Sequence, residues 1–361
     1  MSRRWPAEWE PHAATWLAWP HQHHDWPGKF AAIPWLLTEL VGQLHRYERV
    51  EILCDSEQAR AEASRRLASH GVDTTACGFH VVPTDRAWLR DSGPTGVLGA
   101  NGLEWICWAF NGWARYEDYA KDQCVAAALA ELSVRPAVEA VRPDGVGPLV
   151  LEGGGIEGNG VGTLLVTEEW LLSDVQVRNP GMTAADYERA FATYLGASRT
   201  IWLGEGVLGD DTHGHVDDVA RFVDPNTVVL AWEPDPTEEN HRRMVDNLRR
   251  LQLASRSHPS SLRVVKLPFP QPLLMDGERL PASYANFYIA NGLVAVPTFN
   301  DPGDRIALNT LAKLFPTRAV VGIHSVDLVL GLGALHCLAQ QQPIELAKGW
   351  ADGSGAFAAT E

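Results

Sequence analysis

Gly331-Leu332-Gly333-Ala334-Leu335-His336-Cys337, followed by Leu338-Ala339-Gln340-Gln341-Gln342-Pro343, sets a cysteine beside a histidine, after two glycines, in an apolar run. It is the last of five polar or glycine-rich turns between strand-like stretches, at about Asp91, Glu152, His215, Asn286 and Cys337. The intervals are 61, 63, 71 and 51 residues, and each holds strands and one helical stretch. Five units, none able to bury its apolar face alone, point to a closed radial array. Periodicity alone fits an ordinary α/β sandwich with insertions equally well. No linker separates the units, so one domain over residues 1–361 is expected, with 349–361, small and polar, as a frayed tail.

Around this turn, strand and helix signals alternate. Strands are expected at Ala14–Trp19, Arg49–Cys54, Phe79–Val82, Leu149–Leu151, Gly162–Thr167 and Thr200–Leu203. More follow at Val219–Val223, Thr227–Trp232, Leu262–Leu267, Tyr284–Ala290, Leu293–Val296, Ala319–Ile323 and around Cys337. Helical spacing marks Ala31–Tyr47, Ser56–His70, Tyr116–Leu132, Thr183–Leu195, Thr237–Leu251 and Asp304–Phe315. Thr183 is the expected cap of its helix and Gly196 the stop.

Composition narrows the function classes. The 361-residue chain is 45% hydrophobic and 21% charged, the balance of a soluble globular protein. A net charge of −15 disfavours nucleic acid and anionic membrane as partners and weakly favours cationic ligands. Five widely spaced cysteines without a CxxC argue against a disulfide framework and a zinc site, and for a reducing cytoplasm. Neither a signal peptide nor a membrane span is expected. His21, His23 and His24 invite a metal, but their loose, proline-flanked spacing reads better as a surface loop.

Four positions carry candidate chemistry. Cys337 is either a nucleophile, attacking as the thiolate, or a small buried hydrophobe. On a strand its neighbour His336 would face the other way and could not serve it. His215 and Asp217, two apart, share one face if extended, which suits general acid/base work; a histidine merely hydrogen-bonded in a turn fits as well. Asp218 then points away as a structural residue. Asp91, beside Arg90 and before Gly93-Pro94, is a turn residue or a ligand-binding carboxylate, and Glu152 before three glycines likewise. Converging carboxylates need a cation, either a metal or a planar guanidinium that binds them bidentately.

Taken together, several stretches resemble the agmatine deiminase family, related to bacterial peptidylarginine deiminases. They are Pro6–Trp16 with Ala18-Trp19-Pro20, Trp88-Leu89-Arg90-Asp91-Ser92-Gly93-Pro94, Glu152-Gly153-Gly154 and Arg178-Asn179-Pro180. Gly214-His215-Val216-Asp217, Asn286–Gly292 and His336-Cys337 with Gln340-Gln341 complete the set, in family order over nearly the whole chain. The resemblance implies a five-bladed, pseudo-symmetric α/β propeller of ββαβ-type repeats. It implies Cys337 as nucleophile, His215 as general acid/base, Asp91 and Asp217 as the guanidinium clamp, Glu152 orienting His215 or the reacting group, and Trp88 lining the pocket.

The implied reaction is hydrolysis of a linear amidine C–N bond, turning agmatine into N-carbamoylputrescine and ammonia through a cysteine thiouronium, a step of polyamine biosynthesis. It needs no metal and no cofactor; its partner is a small cationic guanidine, and a homo-oligomer stays open. The family often has Gly-Gly-Gly-Asn-Ile-His-Cys where this chain has Gly331–Cys337, so Leu332 replaces a glycine and Ala334 the asparagine. The loop Gly209–His213 looks one residue short and Pro268–Pro281 abbreviated, changes that bear on the substrate's tail. Peptidyl or free arginine or another alkylguanidine, transfer of the amidino group to an amine, and a non-catalytic guanidinium-binding module are the competing readings. A papain-like protease would place its cysteine early and its histidine late, the reverse of this order.

Overall fold

The computed structural model describes residues 3–256 and 261–345; the expected tail at 349–361 lies outside the described residues. The first unit runs β1 (His12–Ala18), α1 (Ile33–Leu44), β2 (Arg49–Cys54), α2 (Glu57–Ser69) and β3 (Cys77–Val81). The second holds α3 (Leu89–Ser92), β4 (Thr95–Gly99), β5 (Gly102–Cys107), α4 (Val125–Leu132) and β6 (Ala137–Glu139). The third holds β7 (Glu157–Gly158), β8 (Thr163–Thr167), α5 (Glu168–Leu172), α6 (Ala184–Leu195) and β9 (Arg199–Leu203). In the fourth, β10 (Ala220–Asp224), β11 (Thr227–Trp232), α7 (Glu239–Arg256) and β12 (Arg263–Pro268) precede a small hairpin of β13 (Leu274–Met275) and β14 (Glu278–Arg279). The fifth has β15 (Tyr288–Ile289), β16 (Leu293–Thr298), α8 (Pro302–Leu314) and β17 (Ala319–His324), and α9 (Leu335–Leu338) and β18 (Ala339–Pro343) are the last described elements.

The same pairing recurs in five sheets of this mixed α/β fold. An antiparallel pair (β4–β5, β7–β8, β10–β11, β15–β16) is extended by a parallel strand reached through a helix (β6, β9, β12, β17). In the remaining sheet the antiparallel partner of β1 is β18, so the first and last described strands share one sheet. Strands such as β16, Leu-Val-Ala-Val-Pro-Thr, are apolar on both faces because helices and neighbouring sheets cover them. Among the described residues no helix is long and apolar enough to cross a membrane.

Local signals set most boundaries. Thr183 and Asp186 form a reciprocal capping box on α6, and Gly196 ends it at φ +69°. On α7 the buried residues Asn240, Met244, Asn247 and Leu251 form one stripe while charges occupy the other face.

Three expectations are corrected. The helix expected from Tyr116 begins only at Val125, after a turn in which Trp113 takes φ +58°. Leu149–Leu151 makes one isolated bridge, Ala109 with Val150, instead of a strand. Cys337 lies in the short helix α9, before the strand, because the Asn286 side-chain carbonyl accepts the His336 N–H at 3.0 Å and the Cys337 N–H at 3.4 Å and turns the chain there.

Gly196 supplies the first prediction. A Cβ there would lie 1.8 Å from the Arg3 carbonyl oxygen, on a backbone that L side chains resist. Gly196→Ala should cost about 1 kcal/mol or more, read as a lower midpoint in thermal or denaturant unfolding; an unchanged midpoint would show that this cap is not under constraint.

Candidate functional site

One turn from each unit reaches the site. Asp91 in α3 precedes β4, Glu152 precedes β7, His215 and Asp217 precede β10, Asn286 precedes β15, and Cys337 in α9 precedes β18. Every one of these side chains is buried. Each turn places its polar group at the start of an antiparallel pair, so residues far apart in sequence converge without any local motif.

The sulfur sits in a defined hydrogen-bond field. Asn286 Nδ2 donates to Cys337 Sγ at 3.1 Å and to Asp218 Oδ1 at 3.1 Å. The thiol points at Asp217 Oδ2, 3.5 Å away. That same carboxylate oxygen accepts from His336 Nδ1 at 2.7 Å, while His336 Nε2 meets Glu8 Oε2 at 2.8 Å. Both ring nitrogens of His336 thus face carboxylates. The other oxygen, Asp217 Oδ1, is buried with no hydrogen-bond partner among the described residues.

His215 stands between two acids. Its Nε2 is 3.3 Å from Glu152 Oε2, and its Nδ1 is 3.8 Å from Asp91 Oδ1. Glu152 is held by Arg178 Nε at 3.1 Å and Trp170 Nε1 at 2.6 Å. Asp91 accepts from the Gly154 N–H at 3.0 Å and from Trp113 Nε1 at 2.9 Å. A Cβ on Gly154 would lie 2.7 Å from His215 Nδ1, 2.8 Å from Asp91 Oδ1 and 3.1 Å from Asp217 Oδ2. The three groups therefore meet around one point, and only glycine leaves it open.

The charges are unevenly balanced. Burial raises the Asp91 pKa to about 6, with Asp217 and Glu152 adding to the rise against the pull of His215. Burial also opposes ionisation of Glu152, but Arg178 and His215 overcome it and bring the group to about 2. For His215, desolvation is outweighed by Asp91, Glu152 and Asp210, which lift it to about 10. Asp217 is lowered despite burial, chiefly through its bond to His336, and its neighbour Asp218 is raised by burial and by Asp217 itself. Burial and the carboxylates of Asp217, Asp218 and Asp91 push the Cys337 thiol well up.

A cavity of about 350 Å³ opens onto Cys337 and Asp91. Trp88, Trp113, Tyr116 and Leu332 give it apolar walls, and Asp25 and Asp211 add carboxylates. Burial raises both acids to about 6. The structure brings together every sequence-expected site residue: Cys337, His215, Asp91, Asp217 and Glu152 at the centre, Trp88 on the wall. Asp218 holds Asn286, consistent with a structural reading. His336, set aside on the strand assumption, instead lies in helix α9 and orients Asp217. Asn286, Glu8 and Trp113 carry no role in the sequence reading; the first two fall in the stretches that carry the resemblance. His21 bonds Thr84 and His23 stacks on Phe30; no group of three or more metal-suited side chains occurs among the described residues.

Comparison with known proteins follows the same outline. Residues 4–343 match the model of the Porphyromonas-type peptidyl-arginine deiminase family. The chain is 34% identical over 362 residues to the agmatine deiminase of Stutzerimonas stutzeri strain A1501, covering 94% of this chain and 95% of that protein. Among solved structures, an agmatine deiminase of Enterococcus faecalis superposes with a TM-score of 0.85 at 28% identity, over 95% of this chain and 96% of that one. A C. jejuni agmatine deiminase with substrate bound gives 0.84 at 25% identity, over 96% and 97%.

Glu152 offers a direct test of the electrostatics. Glu152→Gln leaves the buried Arg178 without its anion and should cost about 3–5 kcal/mol in denaturant unfolding. It should also move the His215 titration down from about 10, followed by NMR of the ring protons. A small stability change with His215 unmoved would mean that Glu152 does not hold the ring.

Proposed function

The chain belongs to the Porphyromonas-type peptidyl-arginine deiminase family, and on that premise we propose that it is an agmatine deiminase working through a covalent cysteine intermediate. The observation that carries this reading is Asp217: a buried carboxylate beside the cysteine with one oxygen unpartnered among the described residues. A buried acceptor in that state calls for a donor, and a guanidinium supplies planar, charged N–H groups for it. Asp91, facing the same open point at Gly154, is the second arm of the clamp.

The steps follow from the site's charges. In the free enzyme the cysteine is a thiol and His215 is protonated. A guanidinium between Asp91 and Asp217 offsets the negative field that holds the thiol proton; that proton passes to water in the cavity, and the thiolate forms with Asn286 Nδ2 donating to sulfur. Sulfur attacks the guanidinium carbon, held within reach by the two carboxylates. His215 gives its proton to the departing ammonia, leaving a thiouronium on Cys337. The now neutral His215 takes a proton from water, the resulting hydroxide adds to the thiouronium carbon, and sulfur leaves. The departing thiolate takes up the hydroxyl proton of the adduct, giving N-carbamoylputrescine and a regenerated thiol.

Agmatine is favoured over arginine by the cavity's acids. Asp211 attracts a distal ammonium and repels an α-carboxylate; Asp25 and Arg86, which also line the cavity, are paired with each other, and Arg86 with Asp118 as well. The architecture is read as a five-bladed propeller in one domain, supported by the five like sheets and by β18 closing onto β1. A reducing, cytoplasmic setting is read from the five free cysteines.

Two experiments test the function. Ammonia release is measured from agmatine, free arginine and a blocked arginyl peptide, with Cys337→Ala alongside. Agmatine alone should react, and the variant should be inactive; another preferred guanidine changes the substrate, and an active variant removes the nucleophile. The pH profile of kcat/KM should fall below about pH 6, where Asp91 takes up a proton and loses its hold on the guanidinium. It should fall again near pH 10, where His215 loses the proton it must donate. A profile flat through pH 6 would remove Asp91 from the clamp.

A further inference from the structure

The loop Leu330–Gly333 forms the cavity wall next to Cys337. Its two glycines are pinned against tryptophans. A Cβ on Gly331 would lie 2.6 Å from Trp26 Nε1 and 2.7 Å from the Trp88 ring; on Gly333 it would lie 2.8 Å from Trp88 and 3.2 Å from Cys337 Cβ. Within 331–333, only Leu332 can therefore carry a side chain. It does so from a left-handed backbone, φ +67° and ψ +21°, with its N–H donating to the Val329 carbonyl at 3.0 Å.

That conformation is one glycine adopts freely and L side chains resist. The position most suited to glycine thus holds a leucine, while the flanking glycines are explained by contact alone. The side chain packs in part on the hydrophobic cluster around Val329 and in part faces the cavity, and strain kept at a cavity wall points to use there. Leu332 lines the cavity together with the rings of Trp88, Trp113 and Tyr116. An isobutyl group at this place meets whatever joins a guanidinium at Cys337 to the rest of its molecule.

We propose that Leu332 is a specificity-determining residue that packs on the substrate's alkyl stem and selects unbranched aminoalkyl guanidines. A guanidine whose stem carries a polar branch, as arginine's α-carboxylate does, must desolvate that branch against the leucine. The inference rests on the guanidine reading of the site given above.

Calorimetric binding to Cys337→Ala, which cannot turn over, tests both levels. Agmatine, butylguanidine and arginine are titrated into this parent and into the same protein carrying Leu332→Gly or Leu332→Ala. Agmatine and butylguanidine should weaken about tenfold in both variants, the scale of a lost apolar contact. Arginine should hold or improve, so the preference for agmatine shrinks by at least the same factor. Melting temperatures separate backbone strain from contact, since glycine relieves the left-handed residue and alanine retains it. The glycine variant should melt above the alanine variant while binding equally weakly. An unchanged preference, or equal weakening of all three ligands, overturns the role of Leu332 and leaves the guanidine reading standing. A parent that binds none of the three overturns that reading, and the inference with it.

Discussion

Glu8 ties the units together beneath the site. Its Oε2 meets Arg90 Nη2 at 3.3 Å and His336 Nε2 at 2.8 Å, and its Oε1 meets Arg221 Nη2 at 2.9 Å and the Ile289 N–H at 2.7 Å. Arg221 continues to Glu157 at 2.8 Å and to the Phe287 carbonyl at 2.7 Å, and Arg90 to Gln341 at 2.7 Å. The second, third, fourth and fifth units and the closing strand all send a group to this buried network, and Glu8 itself comes from the N-terminal segment. Charges so far from water hold only when each has its partners. The network therefore fixes how the units meet, and His336, one of its members, fixes the rotamer of Asp217. Site geometry and the assembly of the sheets depend on the same ion pairs.

Linkage arithmetic shows what the site costs in its empty state. Asp91 has a folded-state pKa near 6, above its ordinary 3.8. The folded protein then binds that proton more tightly than the unfolded chain, so stability from this group falls as pH rises between those values, by an amount on the order of 3 kcal/mol. Glu152 has the opposite sign. Its pKa of about 2 against 4.5 contributes stability above the ordinary value that is lost as pH falls toward 2. One acid is satisfied by the protein and the other is left wanting a cation. A cationic ligand that binds only the folded form would restore the deficit at Asp91; Asp217, already held down by His336, offers its unpartnered Oδ1 instead.

The fold and site were legible in the sequence to different depths. Strands such as Arg49–Cys54 and Thr227–Trp232 stand where periodicity puts them, because burial on both faces leaves a short apolar run few alternatives. The cap at Thr183 and the stop at Gly196 are local chemistry and read directly. Strand alternation gives the wrong reason for separating His336 from Cys337, because a distant side chain, Asn286, bends the segment into a helical turn; the ring is nonetheless bonded to Asp217 and Glu8 and not to the sulfur. Arg221 lies in β10 as one polar residue among apolar neighbours, and nothing local says that it faces Glu8 and Glu157. Such residues act through partners tens to hundreds of positions away, and that information resides in the closure of the sheets.

If Cys337 is the nucleophile proposed above, the same arrangement accounts for a thiol that is inert alone and reactive with its substrate. Carboxylates around Cys337 hold its proton, so the sulfur is a poor nucleophile toward passing electrophiles. On the proposed mechanism, a guanidinium entering between Asp91 and Asp217 would bring the positive charge that releases the proton, and only where its carbon lies within reach of sulfur. Activation and recognition are then one event. A neutral molecule of similar shape fits the cavity without forming the thiolate, and a cation of different shape forms it without presenting a carbon to attack. On the proposed mechanism, selectivity comes from the empty enzyme's unfavourable charge balance, and neutralising Asp91 by mutation would weaken the chemistry while relieving that cost to the fold.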